Sequence, residues 1–121
     1  MRMAGIYDMA RELGGALART DEYQALKRAM DAAGDDRDLT EVRNRLEGLE
    51  GRIEASLRAG KEPDDEMKEE YGQATEEIQA MPAYQRLIAA QMNFEKVMYK
   101  VNQTVAEGID QGAQSRIIIS S

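Results

Sequence analysis

Apolar residues recur at three- and four-residue steps along nearly the whole chain, most regularly from Tyr84 to Ile109. Tyr84, Leu87, Phe94, Met98, Val101, Val105 and Ile109, with Gln91 in step, mark the seam of an amphipathic or coiled-coil helix. At roughly 100° per residue, Arg86, Lys96, Lys100 and Glu107 share a strip only about 80° wide. Ile88, Ala90, Val97 and Tyr99 flank the seam, and only Glu95 intrudes among them. A helix covering one edge of a small domain would need a broader polar face. The spacing therefore predicts a helix buried on more than half its circumference, inside a bundle or between two subunits. Leu87, Phe94, Met98, Val101 and Val105 are its expected core or dimer seam.

The same pattern, read from the start, predicts a first helix over about Ile6 to Ala18 with Ile6, Ala10, Leu13 and Leu17 as its stripe. Gly14-Gly15 inside it costs about 1 kcal/mol per glycine against alanine, so close packing or a bend is expected there. Thr20 reads as an N-cap ahead of Asp21 and Glu22, which suit the positive end of a helix. Tyr23, Leu26, Met30 and Ala33 carry that second helix to Gly34, a candidate C′ residue. The polar stretch Gly34-Asp35-Asp36-Arg37-Asp38 reads as a turn. It lacks the spaced ligands and distal glutamate of a calcium loop, and Asp38 with Glu41 fits a capping box.

A third helix is expected from Leu39 to about Ala59, with Leu39, Val42, Leu46, Leu49, Ile53 and Leu57 as its seam. Gly48, Gly51 and Ala55 share one side of it, either for close approach of a neighbour or as tolerated surface positions. Gly60-Lys61-Glu62-Pro63 reverses the chain and forms the tip of an αα-hairpin. The return helix starts near Asp64 and carries Met67, Tyr71, Ala74, Ile78 and Met81. Met81-Pro82 breaks it, and Pro82 suits the first position of the last helix. Tyr23-Gln24-Ala25-Leu26 and Tyr84-Gln85-Arg86-Leu87 each follow a break, which suggests two kinked arms around the central hairpin. Residues 111–115 read as loop, and Arg116-Ile117-Ile118-Ile119 as a β-branched tail that must dock, pair with a twin or stay mobile. The expected architecture is all-α: an antiparallel bundle of about five helices, with residues 1–110 as one domain, 111–121 as a tail, and a dimeric assembly.

Composition narrows the function. With 121 residues and 32% charged, the chain allows one modest core, and roughly 70% or less of the unfolded surface would be buried. Cysteine and histidine are both absent, which removes thiolate chemistry, disulfides, the commonest metal ligand and the commonest general base. Glu69, Glu70, Glu76 and Glu77 lack the histidines of a carboxylate-bridged di-iron site and read as a solvated face. No catalytic residue, cofactor or metal is expected. The net charge of −7 opposes binding to nucleic acid or anionic lipid, and no apolar run is long enough to cross a membrane. A cytoplasmic location is expected.

Ile6-Tyr7-Asp8 with Ala10 and Leu13, then Thr20-Asp21-Glu22-Tyr23 with Leu26-Lys27, resembles the opening of the YlbF/YmcA/YheA proteins. Gly60-Lys61-Glu62 and Gln91-Met92-Asn93-Phe94 through Val101-Asn102 resemble their central turn and long last helix. The resemblance spans about residues 6–110 and is nearest the YheA branch. It implies an all-helical bacterial protein, typically dimeric. It also implies a regulatory role like that of members that serve competence, sporulation and biofilm development through a complex influencing RNase Y-dependent mRNA maturation. Iron–sulfur clusters in that complex rely on cysteines, so they do not carry over.

The leading expectation is a non-enzymatic cytoplasmic regulator or adaptor, working by helix-mediated contacts with itself and a protein partner. The acidic stretch from Glu62 to Glu77 is either a steering surface for a basic partner or a merely solvating face. An alternative is an RNA-associated protein acting on or with the mRNA-processing machinery, with Arg37, Arg43, Arg45 and Arg52 as its candidate contacts. An enzyme would have to work with Asp, Glu, Lys, Tyr or Ser alone, and none of these sits in a recognisable catalytic motif.

Overall fold

The computed structural model describes residues 5–120, with side chains through residue 114. Among these residues there are five α-helices and no strand: α1 (Ile6–Ala18), α2 (Asp21–Asp35), α3 (Arg37–Arg58), α4 (Asp65–Gln79) and α5 (Pro82–Ser120). The all-helical expectation holds, and the breaks are made by the residues whose chemistry suits them.

Thr20 sits in extended geometry between α1 and α2, where its hydroxyl accepts from the Tyr23 amide at 3.1 Å and donates to the Leu17 carbonyl at 2.7 Å. Gln24 reaches back across the same break, its side-chain amide donating to the Ala18 carbonyl at 2.8 Å. At the second break Gln85 donates to the Gln79 carbonyl at 2.9 Å in the same way. The Tyr-Gln-x-Leu echo thus has one local meaning: each glutamine satisfies a carbonyl left orphaned at the end of the preceding helix.

Gly60 has φ of 75°, the only positive φ among the described residues. The Lys61 amide bonds to the Ser56 carbonyl and the Gly60 amide to that of Leu57, the paired pattern of a Schellman C-cap. Asp64 caps α4 through the Met67 amide at 2.8 Å. Pro82 opens α5, where its missing amide proton costs nothing.

Two expected boundaries move. Gly34 lies inside α2 and does not end it, and Asp38 lies in the first turn of α3 and does not cap it. Asp36 does both jobs in extended geometry: its amide bonds to the Ala33 carbonyl, and its carboxylate accepts from the Leu39 amide at 3.0 Å. The five-residue turn shrinks to one residue.

The loop expected over 111–115 is also corrected, because α5 continues through it to Ser120. Neither Gly108 nor Gly112 takes the positive φ of a helix stop. Each further residue on an existing helix adds one hydrogen bond, and Gln111, Ala113 and Gln114 propagate it readily. The side chains of the Arg116-Ile119 tail, expected to dock or pair, lie outside the described residues.

α2 packs along α5, α3 packs along α4, and these two antiparallel pairs meet at one end. The core at that junction consists of Ala33 from α2, Leu39 and Val42 from α3, Ile78 from α4, and Ala83 and Leu87 from α5. Leu26, Ala29, Leu46, Met81 and Tyr84 pack around it. Leu49 and Ala74 continue the buried seam up the α3/α4 hairpin, which Arg45–Glu77 and Arg52–Glu70 ion pairs and a Tyr71–Glu50 hydrogen bond lace on the outside. Such exposed pairs contribute about 0–1 kcal/mol each, so the apolar seam sets the hairpin and the pairs align it.

A candidate interaction surface

Tyr23, in the first turn of α2, meets Phe94 edge-on with ring centroids 5.3 Å apart. Ala33, near the other end of α2, joins Ala83 and Leu87 at the start of α5. The 15 residues of α2 therefore run antiparallel along α5 and cover only its first half. At 1.5 Å per residue α2 is about 22 Å long, against about 58 Å for the 39 residues of α5.

The expected seam divides accordingly. Leu87, 3% exposed, belongs to the core of its own chain, and Phe94 is half-buried against Tyr23. Met98 and Val101 are half-buried at the edge of what α2 reaches. Val105 is 50% exposed and Ile109 65% exposed, and every residue from Asn102 to Gln114 is open to solvent. One continuous stripe thus begins as an intramolecular core and ends bare.

A second bare stripe lies on α1, which touches only α2 to any extent and has no buried residue. Ile6 and Tyr7 are 73% and 77% exposed, and Met9 and Leu13 are exposed as well. The stripe expected from the sequence, Ile6, Ala10, Leu13 and Leu17, lies on this helix, with Leu17 half-buried and Tyr7 and Met9 widening the bare face. The available signal was the pairing of an apolar stripe with a helix only 13 residues long. Such a helix is marginal in water without a neighbour.

The chain as a whole has 9654 Å² of accessible surface. A compact monomer of its 13.5 kDa would expose about 6,500 Å².

Charge is segregated as sharply. From Glu62 to Glu77 the chain carries eight carboxylates and one lysine, which equals its whole net charge of −7. Of the four arginines singled out for nucleic acid, Arg45 and Arg52 are engaged with Glu77 and Glu70 across the hairpin, while Arg37 and Arg43 are exposed on α3. Among the described residues no three acidic side chains come together as a metal site, and no helix is long and apolar enough to cross a membrane.

A family model described as control of competence regulator ComK, YlbF/YmcA, matches residues 6–110. The chain belongs to the YlbF/YmcA family. The matched span runs from the first residue of α1 into distal α5, so both bare stripes lie within the family's pattern. Similar relatives include a UPF0342 protein of Lactobacillus delbrueckii subsp. bulgaricus, 28% identical over 109 residues, with 90% of each chain covered. Another, from Limosilactobacillus reuteri, is 23% identical over 107 residues, covering 88% of this chain and 87% of the relative. A third, from Staphylococcus saprophyticus, is 23% identical over 106 residues, covering 88% and 93%. The family's description is regulatory, and these relatives' names carry no enzymatic activity.

Proposed function

We propose that this chain is a non-enzymatic, cytoplasmic regulatory or adaptor protein that self-associates as a homodimer and acts through helix-mediated contacts with a protein partner. One observation carries the reading: the apolar seam of α5 continues past the reach of α2 to Val105 and Ile109, with nothing among the described residues to cover it. The regulatory description of the family supports the regulatory part of the reading. The side chains present agree, with no histidine or cysteine for nucleophilic or metal work.

Phe94 and Leu87 are poor probes of association, because both also hold their own chain together. Val105 is a clean one. In a dimer sealed at this stripe, Val105→Asp buries an unpaired carboxylate and weakens association by about 2 kcal/mol or more, roughly thirtyfold. Sedimentation should show a dimer for the parent chain and a monomer for the variant, with the helices that meet at the core intact. A variant that remains a dimer of unchanged affinity overturns the assignment of this seam.

A further inference from the structure

α1 and the distal half of α5 leave the bundle from the same end. Tyr23, just after the break that ends α1, sits against Phe94, and beyond Phe94 the chain of α5 runs on past the start of α2. The two segments form a fork whose base is pinned by the Thr20 and Gln24 hydrogen bonds to Leu17 and Ala18. These bonds fix the turn, and α1 makes no substantial contact with α5 of its own chain. α1 has 13 residues, about 20 Å, and α5 runs on from Asn102 to Ser120, about 28 Å, so the second prong is long enough for α1 to lie along it over its whole length. Each carries an apolar stripe: Ile6, Leu13 and Leu17 on one, Val105 and Ile109 on the other.

We propose that the fork is filled by the fork of a second copy, so that α1 of one chain covers distal α5 of the other and the reverse. This rests on the self-association reading and specifies its geometry. A second copy is the occupant because the chain supplies both halves of the match: two bare apolar stripes that leave the bundle at one end, each without cover, satisfy a two-fold axis without a foreign partner. The chain exposes about 3,000 Å² more than a compact monomer of its mass, an excess well above the roughly 600–1,000 Å² that a stable dimer withdraws from each partner. The exchanged contact also continues the seam along which α2 already packs.

The test uses the full chain, whose lack of cysteine makes introduced thiols unique. Leu13→Cys is co-expressed with Val105→Cys, and separately with Ile109→Cys, the two chains of each pair differing in size through a tag. All three positions are exposed within one chain, so the substitutions spare its core. Mild oxidation should give a disulfide-linked product of mixed size from at least one pair. Leu13→Cys paired with Lys96→Cys, on the polar strip of α5, should give none. A protein that sediments as a dimer but yields no mixed-size product overturns the exchange and leaves self-association standing. So does a doubly substituted Leu13→Cys/Ile109→Cys chain that closes on itself as a monomer. A parent chain that sediments as a monomer overturns both.

Discussion

Single residues decide the turns of this protein. Gly60 ends α3 because the Lys61 and Gly60 amides can reach the Ser56 and Leu57 carbonyls only if the residue between them is left-handed. A Cβ at Gly60 meets no atom within 4 Å, so steric room is not the constraint there. The backbone angle is. Gly60→Ala should therefore lose about 1–2 kcal/mol, the left-handed penalty of an L-residue, with no change in assembly. Urea unfolding with an unchanged slope would report it, and an unaltered midpoint would mean that the hairpin tip opens at no cost. Asp36 and Gln24 show the other side of this scale. Three aspartates between Gly34 and Asp38 all have capping chemistry, and composition does not say which one takes the extended backbone. Only the packing of Ala33 and Leu39 into one core does, since it places the corner between them.

At the scale of elements, each break was readable where it depended on a residue with one strong preference: Thr20, Gly60 and Pro82. The far end of α5 was not, because two glycines look like a stop until the length of helix behind them is weighed. The periodic seam was readable in α5, but its division into covered and bare halves was not. Periodicity belongs to one helix, whereas cover depends on the length of another, and α2 ends its reach near Phe94. The bare half then has a measurable consequence. Ending the chain after Val101 removes a stretch whose described side chains, Asn102 to Gln114, are all exposed, so the junction of Leu39, Ile78 and Leu87 should survive intact. Thermal melting of that shortened chain at low concentration should match the parent within about 1 kcal/mol, while its dimer disappears from sedimentation. A collapse of the melt would show that distal α5 supports the core directly.

For the whole molecule, the balance between core and surface makes folding and assembly one problem. The buried core draws on a few residues each from α2, α3, α4 and α5, and α1 adds nothing to it. A helix of 13 residues with no buried side chain is near the limit of stability in water. In the proposed dimer its order comes from association, and stability gained by association depends on concentration. Amide hydrogen exchange separates the two sources. At concentrations well above the dimer constant, amides of α1 and of 102–114 should exchange slowly, along with those of α2 and the hairpin. On dilution below it, the first two segments should lose protection together, while Leu39, Val42 and Ile78 keep theirs. The joint loss is the informative part, because in an exchanged dimer neither segment can be uncovered without uncovering the other. If α1 kept its protection on dilution while distal α5 lost it, α1 would be held by its own chain.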